Sequence, residues 1–209
     1  MSFKAESPPF RGLEFEHEQS ATFADYWYSL PKQDLIPSRK DFDPGAQAAV
    51  LTTYIIHELV SPEMIRIRLV GTKHREGFGI DPTGRNYLDF VEPKRRAKAS
   101  QAIHLVCERP CGMLVKLVSR TQTGLMYMNE TFALPMRDND GIARLVYYQS
   151  NSAPLDEYRD ASSDKLEVLD VHDRTFIDIG AGIPSLRIEG AAPAGTAPSP
   201  SRQLLSMFQ

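Results

Sequence analysis

The sequence predicts an α+β domain: a five-stranded antiparallel sheet with helices packed on one face. Three observations lead there. Met64–Val70 alternates Ile65, Ile67 and Leu69 with Arg66 and Arg68, the period-two pattern of a strand with one buried face. Asp138-Asn139-Asp140-Gly141 separates two strand-like runs and is a strong hairpin turn. Between these features, the segment 92–108 carries Ala99, Ala102, Ile103 and Val106 along one side, the spacing of an amphipathic helix. Two strands before that helix and three after it must pair across it to form one sheet.

The elements follow in order. Residues 1–20 are polar and Pro-containing and read as a flexible N-terminal arm. The domain proper spans 21–152. It opens with a helix whose Phe23, Tyr26, Trp27 and Leu30 fall at i, i+3, i+4 and i+7, one apolar stripe. Left uncovered, that stripe predicts a homodimer interface. Asp43-Pro44 is a helix start. The run 53–60 is β-branched and aromatic, and Ser61-Pro62-Glu63 is short enough to turn it into Met64–Val70. Helical turns and an Asp-Pro-Thr-Gly turn lead to the long helix. Strands then follow near 113–120, 125–135 and 144–150. Residues 153–184 read as a C-terminal extension packed on the domain. Residues 185–209 contain GAAPAGTAPSP and read as a flexible tail.

Net charge is −3, so nonspecific attraction to nucleic acid has little electrostatic support. No apolar run approaches the roughly 20 residues that span a bilayer, and the first residues lack the apolar core of a signal peptide. Both readings point to the cytoplasm. Cys107 and Cys111 are the only cysteines; a single CxxxC without nearby histidines is a poor zinc site, and a cytoplasmic disulfide is disfavoured. No GxSxG, HExxH, P-loop or dinucleotide fingerprint occurs. The chain therefore reads as a non-enzyme without a metal.

The words YWYSL (26–30), LIPSRKDFDP (35–44), IRLVGT (67–72), GFGIDPTGRN (77–86), RLVYYQS (144–150) and FIDIGAGIP (176–184), in this order, resemble the PAS family as found in small stand-alone proteins of alphaproteobacteria. The resemblance implies a PAS fold, a cavity between the inner sheet face and the helices, and a regulatory role. It also implies a signalling partner acting in trans, such as a histidine kinase. Two functions fit: a sensor that binds a small molecule, and a ligand-free adaptor for dimerisation or scaffolding.

The resemblance also frames the cofactors. His104 lies on the helix where haem-binding relatives carry their ligand, but off the side of Ile103 and Val106. Tyr87 follows Gly84-Arg85-Asn86, where the blue-light-sensing subgroup has a cysteine; a phenol cannot form that subgroup's thioether. Gln149 falls where the same subgroup keeps a flavin-contacting glutamine. No haem or flavin is expected, and the pocket leaves room for an unidentified small ligand. If Leu145 faces inward, so do Tyr147 and Gln149; Met113, Val115 and Ser119 share a face, as do Tyr127 and Asn129. With Phe78, Tyr87 and Ile103 these form the candidate ligand pocket. A few polar tips among apolar residues suit a ligand, and equally a packed core whose Tyr, Gln and Asn satisfy one another. His57, on the face of Ile55 and Leu59, is a candidate pH-sensitive group.

Overall fold

The computed structural model describes residues 2–47, 50–78, 80–120, 125–159 and 167–184, except the side chains of 47, 77, 78, 155–159, 167 and 169. The helices are α1 (Glu18–Ser29), α2 (Thr72–Phe78) and α3 (Arg96–Glu108). Two short strands, β1 (Lys32–Gln33) and β2 (Ile36–Pro37), form a minor ladder. The main sheet contains β3 (Tyr54–Ser61), β4 (Met64–Val70), β5 (Cys111–Arg120), β6 (Leu125–Arg137), β7 (Ala143–Arg159) and β8 (Glu167–Asp178). Its order is β4-β3-β7-β6-β5-β8, and every neighbouring pair is antiparallel. The two halves of the chain do meet across α3, through β3 and β7.

The sheet has six strands rather than five. The sixth, β8, comes from the stretch read as an extension, and pairs with β5 from Cys111–Asp178 to Arg120–Glu167. Residue 152 is no boundary either, because β7 runs unbroken through it to Arg159. The tail at 185–209 lies outside the described residues.

α3 covers one face of the sheet, and the N-terminal helix α1 lies on the other. α3 packs Ala102, Ile103 and Val106 against Met113, Val115, Ala133, Val146 and Tyr148 on the inner face. α1 packs Phe23, Ala24 and Trp27 against Phe132, Leu134, Met136 and Tyr147 on the outer face. This settles where the apolar stripe of α1 goes. Phe23, Trp27 and Leu30 are buried inside their own domain, and the Tyr26 hydroxyl donates to the Asp43 carbonyl at 3.2 Å. The stripe is therefore not open as a dimer interface; its own sheet is the partner that the spacing demanded.

Nor is the N-terminal arm loose. Phe10 and Phe15 are fully buried and set their ring edges on Phe132, with centroids 5.5 and 5.1 Å away. Burying two aromatics repays the entropy of ordering a polar segment. Polar contacts fix its course: Glu130, buried on β6, accepts from the Glu16 amide at 2.6 Å and the Ser20 hydroxyl at 2.8 Å. Asp25 accepts from the amides of Glu6 and Ser7 at 3.1 and 2.8 Å.

Burial works against the Asp25 carboxylate, but the Ser7 hydroxyl and the Glu6 and Ser7 amides hold its pKa below the ordinary 3.8. A carboxyl depressed in the folded state adds stability above its unfolded pKa, lost as pH falls through the folded value. Asp25→Asn is expected to cost about 1 kcal/mol at neutral pH, the low end for hydrogen bonds to a charged acceptor because solvent screens this one. In urea titrations the deficit should shrink as pH drops below 3.8. A deficit constant from pH 7 to pH 3 would show that the carboxylate does not anchor the arm.

Candidate functional site

A cavity of about 520 Å³ lies between the inner sheet face, α3 and β8. That volume is within the range of small-molecule sites. Strand pairing explains which side chains reach it, because directly opposed residues of an antiparallel ladder share a face. Met113, Val115, Leu117 and Ser119 of β5 stand opposite Ala133, Thr131, Asn129 and Tyr127 of β6. Ala133 and Thr131 in turn oppose Tyr148 and Ser150 of β7, and Tyr148 opposes Ile55 of β3. On the other side of β5, Val115 opposes Arg174 of β8. Ile103, Ala99 and Lys98 of α3, with Arg95 just before it, form the lid, and Tyr87, Phe90 and Val91 close one side.

Of the residues expected in the pocket, Tyr87, Ile103, Met113, Val115, Ser119 and Asn129 line this cavity. Tyr127 lines a separate depression instead, with His17, Thr53, His74 and Asn151. Tyr147 and Gln149 are on the opposite face. Leu145 and Tyr147 do share a side, but it is the side packed under α1, and Gln149 follows them there. It is fully buried, opposite Phe132 and Tyr54, and its amide donates to the Thr53 hydroxyl. The Phe78 side chain lies outside the described residues. β7 is a central strand buried on both sides, so periodicity groups its residues but does not say which group faces in; one step of register swaps the faces. The residues missed are therefore the alternate ones, Tyr148 and Ser150, with Thr131 of β6 and Arg174 of β8.

The polar groups of the cavity fall into two sets. At the end formed by β5 and β6 they satisfy one another. The Asn129 amide donates to Ser119 Oγ at 2.8 Å, Ser152 Oγ donates to Asn129 Oδ1 at 2.6 Å, and the Thr131 and Ser150 hydroxyls are 2.9 Å apart. The other set is unsatisfied. His57 Nδ1, the Tyr148 hydroxyl and Arg174 Nε are buried without a hydrogen-bond partner among the described residues. His57 packs between Tyr87 and Tyr148, with ring centroids 4.6 and 4.7 Å away, so the three rings make an aromatic wall.

Burial governs the titration of this wall. It pushes the His57 imidazole down to about 3 and the Tyr87 phenol up to about 12. Burial likewise raises Tyr148 and lowers Arg174. His57 is thus a neutral ring across the physiological range, which corrects its reading as a pH-sensitive group: desolvation penalises the imidazolium, and no described carboxylate offsets it. His104 is absent from the cavity lining, and its Nδ1 lies 2.9 Å from the Ser100 carbonyl. Both cysteines also lie outside the lining, and burial pushes each thiol up to about 12. The residues that the resemblance singled out for flavin do not converge: Tyr87 is in the cavity and Gln149 is not. Among the described residues no group of three or more His, Cys, Asp or Glu is placed to hold a metal ion. No described helix is long and apolar enough to cross a membrane.

A small antiparallel sheet over a cavity, with a helix across its opening, defines an α+β module with a hollow beneath the sheet. A family model for the PAS domain matches residues 15–147. The chain belongs to the PAS family, whose members are sensor domains of signalling proteins. Similar solved structures include a light-oxygen-voltage domain studied with a flavin analogue, at 19% identity and TM-score 0.43, covering 54% of this chain and 84% of that one. The light-state structure of the blue-light photoreceptor Aureochrome1 LOV is similar at 18% identity and TM-score 0.40, covering 53% and 88%. An RNA-binding light-oxygen-voltage receptor is similar at 17% identity and TM-score 0.40, covering 58% and 35%. No curated protein matches the chain.

Proposed function

We propose that this protein is a cytoplasmic sensor that binds a small molecule in the cavity under its sheet and signals in trans, through protein contacts, to a partner such as a histidine kinase. It acts by binding rather than by catalysis, with neither haem nor flavin as a resident group. Self-association, where it occurs, uses a surface other than the Phe23–Trp27–Leu30 stripe. The observation supporting this reading is the cavity of about 520 Å³ lined by His57 and Tyr148, whose Nδ1 and hydroxyl are buried without a hydrogen-bond partner among the described residues. Buried polar atoms are nearly always satisfied. Leaving two of them bare beside a hollow is costly, and a bound molecule that reaches them reduces the cost.

Native mass spectrometry of the purified chain tests this, alongside Ile103→Trp, which fills the cavity from the α3 side. The wild type should carry mass beyond the polypeptide, and the variant should lose it while remaining folded. Bare polypeptide from both would favour the ligand-free adaptor.

A further inference from the structure

We infer that the cavity takes a small organic anion with a flat apolar body, its charged group held by Arg174. This rests on the cavity being a ligand site, and goes further by naming the ligand's chemistry.

Arg174 projects from β8 on the same side as its cross-strand partner Val115 and lines the cavity. A guanidinium stays charged at any relevant pH. Here it is partly desolvated, and the charge acting on it besides the Tyr87 and Tyr148 phenols is that of Arg95, another cation. Arg95 is itself neutralised, paired to Asp170 and lying 3.6 Å from Glu92. Asp173, the other carboxylate at the rim, stands opposite Lys116. No described carboxylate forms an ion pair with Arg174. Lys98 also lines the cavity from α3, so cations face it from two elements.

A partly desolvated cation without a counter-charge is destabilising, and a bound anion offsets that penalty. Arg also matches the planar oxyanion geometry of a carboxylate or sulfonate. Tyr148 is close enough to act on the Arg174 charge, and its hydroxyl can donate to the same group. The remaining lining, from Ile55, Met113, Val115, Leu117, Ile103 and the Tyr87 ring, suits an apolar body rather than a bare inorganic ion.

The test is a fluorescence titration of the full chain with two dyes. One is 8-anilinonaphthalene-1-sulfonate. The other is N-phenyl-1-naphthylamine, the same ring system without the sulfonate. The anionic dye should bind at least about tenfold tighter, as one or two charge-assisted hydrogen bonds imply. Arg174→Gln should bring it down to the affinity of the neutral dye and leave the neutral dye unchanged. Arg174→Lys should keep most of the difference. Equal binding of the two dyes by the wild type would overturn the anion assignment while leaving the cavity as a site for neutral ligands. So would Arg174→Gln weakening both dyes alike. Binding of neither dye would remove the cavity as a ligand site altogether.

Discussion

Trp27→Ala is expected to destabilise the domain by about 3–5 kcal/mol, the cost of emptying a large aromatic site in a core. The Trp27 side chain is buried between α1 and the outer sheet face. Its ring lies 6.3 Å, edge to face, from Phe10 of the arm, and its indole N–H donates to the Pro135 carbonyl at 2.9 Å. Truncation removes apolar contacts to the arm, the helix and β6 together, and leaves that carbonyl unpaired. Set against a total stability of about 5–15 kcal/mol for a typical domain, the loss is large. Urea unfolding followed by circular dichroism should show the midpoint falling steeply. A variant as stable as wild type that changed only from dimer to monomer would return the stripe to an intermolecular role.

The second large effect is expected at Gly71, just after β4. Its amide donates to the Tyr54 carbonyl at 2.8 Å. A Cβ there would lie 2.2 Å from the Thr52 carbonyl oxygen and 2.8 Å from that of Leu51. Both obstacles are backbone, so no rotamer change relieves them. Gly71→Ala must move the turn at Leu51–Thr53, whose Thr53 carbonyl lies 3.2 Å from His74 Nε2 and whose hydroxyl receives Gln149. Overpacking typically costs 1–3 kcal/mol, and about 3 or more is expected here because the clash is with main chain. Gly12, with open space where its Cβ would go, is the control: Gly12→Ala should be nearly neutral. Matching unfolding midpoints for the two variants would show that the turn yields more easily than its geometry implies.

How much of this was legible in the sequence depended on local contrast. β4 was readable at its start, where Ile65 and Ile67 go inward while Arg66 and Arg68 reach solvent and share Glu58; past the register shift beside His57 the alternation breaks, and Leu69, expected inward, is exposed while Val70 is buried. α3 was readable because its apolar positions lie on one side. β7 was readable as a strand but not as to facing, since Leu145, Val146, Tyr147 and Tyr148 are all buried and alternation then has no contrast. β8 was hidden by its own irregularity. Its register on β5 slips between Lys116–Asp173 and Leu117–Val171, and again between Val118–Asp170 and Ser119–Val168. Each slip breaks the period-two signal, which placed Arg174 beyond the reach of pattern. The arm failed for a different reason. Phe10 and Phe15 sit among prolines, glycine and charges, and only the distant Phe132 shows that they are core.

The β8 wall has a further consequence. The family model ends at residue 147, whereas β8 spans Glu167–Asp178 at the sheet's edge, laddered to β5 and bridged at Val168 to Val91. The guanidinium proposed to fix the ligand's charge thus sits on a peripheral strip, apart from the central strands that form most of the hollow. Such a strip can diverge as an exchangeable cassette: swapping one edge ribbon would retune what the module detects while leaving its frame intact.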